Sequence, residues 1–172
     1  MVIKFLLMLS VFLLVLPSCA RKGDRRAPPE TAARVNLSRY MGTWYEIARY
    51  PNDFQKGCRQ STATYTLRDD GRVTVVNRCR VESGNKEAHG TAKVVDPTTN
   101  AKLKVTFFWP FYGDYWILDL GEHYDYAIVG TPDRNYLWIL SRTPEMSELL
   151  YQRLCLKIKQ LGFDPERLIK EE

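Results

Sequence analysis

The sequence predicts an all-β fold of eight antiparallel strands in up-and-down order, with one helix near the C terminus. Three observations predict it. Short runs of alternating apolar and polar residues recur from Trp44 to Ser141, turn-forming residues separate them at close intervals, and after Ser141 the apolar period lengthens to that of a helix.

The first run, TWYEIARY (43–50), ends at the loop PNDFQKGCRQ (51–60). STATYTL (61–67) and RVTVVNRCR (72–80) flank Asp69-Asp70-Gly71, the strongest hairpin signal in the chain. AHGTAKVV (88–95) passes through Asp96-Pro97-Thr98-Thr99-Asn100 into KLKVTFFW (102–109). The loop PFYGD (110–114) leads to YWILDL (115–120), and Gly121-Glu122-His123 to YDYAIVG (124–130). TPDRN (131–135) then turns the chain into YLWILS (136–141). Strands this short and this evenly spaced argue for a sandwich or a barrel. Closing eight of them in up-and-down order removes both exposed edges and encloses room for one small ligand.

Thr143 offers an N-cap, Pro144 suits a first helical position and Glu145 favours a helix N-terminus. Met146, Leu150, Leu154, Ile158 and Leu161 follow at helical spacing, and Gly162 ends the run. One stripe of this helix is suited to pack on the outside of a barrel.

The ends have a different character. Residues 1–18 read as a signal peptide: Lys4 precedes an apolar run from Phe5 to Leu16 that is too short for a membrane anchor. Residues 19–35 are basic, carry Pro28-Pro29 and few apolar anchors, and read as a flexible tether. Residues 36–172 amount to one domain. The formal charge of +5, from 25 Lys and Arg against 20 Asp and Glu, is too mild for a nucleic-acid footprint. No nucleic-acid partner is therefore expected.

Several stretches carry a family resemblance. Gly42-x-Trp44 at the first strand, eight strands and Arg142 after the last resemble the lipocalin family. GTWYEIARYP, TATYTLRDDGRVTVVN, FFWPFYGDYWILDL and YLWILSRTP are similar to the bacterial outer-membrane lipoprotein lipocalins and their relative apolipoprotein D. Leu16-Pro17-Ser18-Cys19 likewise resembles a lipobox, which implies cleavage before Cys19 and its lipidation. Ala20 in place of an aspartate implies an anchor in the outer membrane, with the protein facing the periplasm. The resemblance further implies a barrel whose closed end holds Trp44, with Arg142 across its indole. Gly42, Trp44 and Arg142 are structural on that reading, and a guanidinium over an indole is a favourable contact.

The family fold also implies a ligand cavity. If Arg142 points to the barrel axis, alternation turns Leu140, Trp138 and Tyr136 inward too. In KLKVTFFW the lysines must face water, which places Leu103, Val105, Phe107 and Trp109 inside. The family pattern puts Tyr115 inward near the mouth, and Tyr65 and Val75 join the lining from the first hairpin. Tyr65, Val75, Phe107, Trp109, Tyr115 and Trp138 are thus the expected ligand contacts, for a fatty acid or a lysophospholipid. The competing reading is a structural envelope lipoprotein whose side chains fill the barrel. That protein would act through Phe111 and Tyr112 at a loop tip facing a membrane or a homodimer partner.

Cys58 and Cys79 flank the Asp-Asp-Gly hairpin; if Thr66 faces Gly71, they face each other and suit a cross-strand disulfide. The family resemblance supplies a competing pair, Cys58 with Cys155. Cys155 otherwise reads as a buried free thiol. His89 and His123 lack metal-ligand spacing, and no phosphate loop, nucleophile elbow or paired-carboxylate motif is present. The expectation is a binding protein without catalytic residues, metal or cofactor. An enzymatic role would need Cys79 unpaired and inward.

Overall fold

A computed structural model describes residues 27–171. A short helix, α1 (Leu37–Tyr40), leads into β1 (Gly42–Arg49). Then come β2 (Arg59–Leu67), β3 (Val73–Val81), β4 (Gly84–Val94) and β5 (Lys102–Phe108). β6 (Phe111–Leu120), β7 (Tyr126–Gly130) and β8 (Leu137–Ser141) complete the expected eight. Helix α2 (Glu148–Gln160) and a two-residue strand, β9 (Ile169–Lys170), follow.

Each strand from β1 to β8 pairs antiparallel with the next, and β1 also pairs with β8, which closes the barrel. The first half of β1 lies on β2 (Gly42↔Tyr65) and the second half on β8 (Arg49↔Trp138), with an irregularity between Glu46 and Ala48. β9 adds to β1 at Ala48↔Lys170, a pairing too short to show as alternation. The loops at 50–58, 82–83, 109–110 and 131–136 share one end of the barrel. Those at 68–72, 95–101 and 121–125 share the other, where α1 and Arg142 also lie.

The barrel buries apolar side chains on both surfaces. Trp44, Tyr65, Val75 and Leu103 face inward. Ile128 on β7 and Ile139 on β8 face outward and meet Leu154 and Ile158 of α2. These two strands are buried almost continuously for that reason, as expected where both faces are covered.

The helix starts later than the sequence suggests. Ser147 is the N-cap, its hydroxyl accepting from the Leu150 amide at 3.3 Å. Thr143 instead donates to the Glu145 carbonyl at 2.7 Å, which ties Pro144 into a loop. Gly162 terminates α2 at φ +83°, and the Phe163 amide returns to the Ile158 carbonyl at 3.1 Å, a Schellman closure.

The signal peptide, Cys19 and tether residues 19–26 lie outside the described residues. Residues 27–35, read as the rest of the tether, pack on the barrel. The Ala32 amide donates to the Ile117 carbonyl, and the Val35 amide to the Thr99 carbonyl at 2.7 Å. Val35 and Pro29 are buried. A single β-branched anchor and backbone pairing order a segment whose composition looks unstructured.

Candidate ligand-binding cavity

At the closed end, Trp44 is fully buried and donates its indole N–H to the Tyr40 carbonyl at 2.8 Å. The Arg142 guanidinium lies 3.8 Å from the Trp44 ring centroid. It also donates to the carbonyls of Arg39, Tyr40, Thr43 and Tyr124 at 2.8 to 3.2 Å, so α1, β1 and the β6–β7 loop meet on one side chain. Gly42 at φ +92° makes the turn from α1 into β1, and a Cβ there would stand 3.4 Å from the guanidinium.

Above this plug three tyrosines form the cavity floor. The Tyr115 hydroxyl lies 2.7 Å from that of Tyr40 and 2.9 Å from that of Tyr65. Desolvation pushes the Tyr65 phenol up to about 12 and holds Tyr40 and Tyr115 well above the ordinary phenol range, so the floor stays neutral. Tyr115 is therefore at the bottom of the cavity rather than near the mouth. The β5–β6 hairpin is tight, pairing Phe108 with Phe111, so β6 begins four residues before Tyr115 and carries it down opposite Leu103.

The cavity above holds about 680 Å³ and opens at the other end of the barrel. Of the expected contacts, Tyr65, Val75, Phe107, Tyr115 and Trp138 line it. Trp109 does not: it sits in the β5–β6 turn and is 77% exposed. The ladder shifts register between Val105 and Phe108, which breaks the alternation that assigned Trp109 to the interior. The barrel is hollow rather than filled because the inner face of β4 is small. Ala88 and Ala92 line the cavity, with Gly90 between them on the same face against Phe107.

One wall of the cavity is polar. Glu46 faces inward beyond Trp44, and its carboxylate accepts from Arg49 Nη1 at 2.7 Å and Gln55 Nε2 at 2.7 Å. Arg49 also bonds Glu171, which receives the Ser61 hydroxyl at 3.0 Å and fastens the C-terminal segment to the barrel. Burial pushes the Glu46 carboxyl up to about 7, against the opposing pull of Gln55 and Arg49. Gln55 further accepts from the Trp138 indole at 2.9 Å and so orients that ring. Alternation in TWYEIARY places Glu46 on the Trp44 face; no local pattern points to Glu171.

Cys58 and Cys79 are joined as a disulfide, and Cys155 is a half-buried free thiol on α2. The register behind the expected pairing differs, with Thr66 opposite Thr74 rather than Gly71. A bulge between Arg59 and Thr62 takes up part of the offset, and Cys58, one residue before β2, stands with its Cα 5.4 Å from that of Cys79. Among the described residues no group of three His, Cys, Asp or Glu side chains is placed to hold a metal.

A closed eight-stranded barrel, a plugged end and a hollow apolar interior define a small-ligand-binding barrel. The chain belongs to the lipocalins: a family model described as a lipocalin-like domain matches residues 35–172. It is 44% identical to the outer membrane lipoprotein Blc of Escherichia coli strain K12 over 147 residues, 83% of each chain. Apolipoprotein D of Macaca fascicularis is 34% identical over 131 residues, 71% of this chain and 68% of that one. Insecticyanin from the tobacco hornworm Manduca sexta shares the fold, with a TM-score of 0.68 at 21% identity over 86% of this chain and 84% of that one.

Proposed function

We propose that the protein is a lipid-anchored carrier of single-chain amphiphiles, fatty acids or lysophospholipids, at the outer membrane and facing the periplasm. The observation that carries this reading is the hollow interior: mostly apolar walls about a cavity of about 680 Å³, open at one end. Similarity to the outer membrane lipoprotein Blc supports the location, with residues 1–18 as signal peptide and Cys19 as the lipidated residue. Burying ~15 methylenes at ~0.8 kcal/mol each gives about 12 kcal/mol, and association costs of at least ~4 kcal/mol leave about 8, near a micromolar dissociation constant. A long acyl chain therefore binds usefully without a charge pair on its head. Phe107, Trp138, Val75 and the tyrosine floor supply the acyl contacts.

Extraction of the full-length protein purified from its own membrane tests this. The reading expects one single-chain amphiphile per protein in the organic extract; a protein that emerges free of lipid counts against it. The tip of the β5–β6 hairpin favours a further, compatible role. Phe108, Trp109 and Phe111 are 76%, 77% and 71% exposed beside the cavity mouth, an apolar tip suited to contact within the envelope.

A further inference from the structure

At the mouth of the cavity Trp138, one of the acyl contacts, is joined by side chains that an acyl chain does not need. Phe54, from the 3₁₀ turn Asp53–Gln55, lies 5.7 Å from Tyr136 and 6.3 Å from Trp138 between ring centroids. Tyr136 and Trp138 stack at 5.9 Å with their planes 7° apart. All three line the cavity, yet Phe54 is 55% exposed and Tyr136 36%. Aromatic faces left open to water at an entrance forgo burial and keep their negative quadrupoles available to a cation.

Two charged side chains, Asp133 and Lys86, line the cavity with this platform. Asp133 lines the same mouth, and its oxygens accept from the Thr131 hydroxyl at 2.6 Å and from the Asn135 amide and side chain. Partial burial opposes ionisation, but these donors outweigh it and hold the carboxyl below its usual range. Asp133 is thus a preformed carboxylate. Among the described residues no lysine or arginine forms an ion pair with it. Lys86 projects from the inner face of β4 and donates to the Phe54 carbonyl at 3.0 Å, which sets an ammonium at the edge of the platform. One of its three donors is used there.

The geometry points to a head-group subsite in which Phe54, Tyr136, Trp138 and Asp133 take the ammonium end of a zwitterionic lysophospholipid while Lys86 meets its phosphate. The inference rests on the amphiphile-carrier reading and narrows it. Cation and anion are adjacent in such a head, as the carboxylate-flanked platform and Lys86 are adjacent at this mouth. A fatty acid uses the cavity, Trp138 included, and offers nothing to Phe54, Tyr136 or Asp133. A lysophosphatidate brings a second negative charge toward Asp133 and nothing for the aromatic faces.

The test is direct binding to delipidated protein of four probes with the same acyl chain: 1-oleoyl lysophosphatidylcholine, 1-oleoyl lysophosphatidylethanolamine, 1-oleoyl lysophosphatidate and oleate. The two ammonium lipids should bind about three- to tenfold more tightly than the phosphatidate, the span of one cation–π and carboxylate contact. The choline and ethanolamine arms separate a platform that prefers the quaternary cation from a carboxylate that prefers the primary one; a preference for either supports the subsite. In the double variant Phe54→Leu/Tyr136→Leu, and separately in Asp133→Asn, the ratio of ammonium-lipid to phosphatidate affinity should fall toward one. Equal affinities in the parent, or a ratio unmoved by both variants, would overturn the subsite while leaving the cavity reading intact. Binding of none of the four would overturn both.

Discussion

The Arg142 guanidinium lies 3.8 Å from the centroid of the Trp44 indole, and the pair stops the closed end of the barrel. Trp44 is fully buried, so Trp44→Ala should cost about 3–5 kcal/mol. For a chain of this length that is a fall of roughly 6–20 °C in melting temperature. A melting curve matching the parent would remove Trp44 from the plug. Arg142→Lys keeps the charge but not the planar fork that reaches four carbonyls, and should fall between parent and Trp44→Ala.

Trp138 and Trp109 should separate in a binding assay. Trp138 lines the cavity, and its indole is held by Gln55, so Trp138→Ala should weaken oleate binding by about tenfold through lost apolar contact. Trp109 is exposed in the hairpin turn, and Trp109→Ala should leave that affinity where it was. Titration of tryptophan fluorescence with oleate reads both; the reverse ranking would invert the assignment.

Glu46 makes stability depend on pH. Its folded carboxyl titrates near 7 against an ordinary 4.5, so the folded state holds this proton more tightly than the unfolded chain does. That contribution is complete below about pH 4.5 and is lost as pH rises through about 7. Relative to Glu46→Gln, which cannot titrate, the parent should lose up to about 3 kcal/mol between pH 5 and 8. Parallel melting-temperature profiles for the two proteins across that range would show that Glu46 does not titrate there.

The disulfide encloses the β2–β3 hairpin, with 21 residues of separation. Its removal in a Cys58→Ala/Cys79→Ala variant should cost about 3 kcal/mol through loop-closure entropy in the unfolded chain. The comparison is denaturant unfolding of the double variant against the parent. An unchanged midpoint would show that the bond constrains nothing the ladder does not already hold.

Much of this was legible in the chain itself, and the failures have physical causes. Alternation placed Leu103, Val105 and Phe107 on the inner wall because β5 is regular up to that point. It failed at Trp109, where a register shift and a tight turn interrupt the period. Face is encoded by alternation but depth is not: alternation turns Tyr115 inward, and only the tight β5–β6 hairpin carries it to the floor. The helix stripe was evident from Leu150 to Leu161, whereas Thr143 and Ser147 are both competent caps. Only the hydrogen bond from Thr143 to the Glu145 carbonyl decides between them. Whether the barrel was hollow lay in the small residues Ala88, Gly90 and Ala92, a signal that emerges only once β4 is known to lie beside β5, with Gly90 against the Phe107 ring. Glu171 is joined to Arg49 across 122 residues, a contact no local pattern announces.

Native mass spectrometry of the delipidated protein titrated with oleate tests whether the hollow interior holds one acyl chain. A saturable one-to-one adduct with a dissociation constant on the order of a micromolar is the expected result. No adduct at ~50 µM oleate, well above that constant, would contradict it and leave the barrel a scaffold for the hairpin tip.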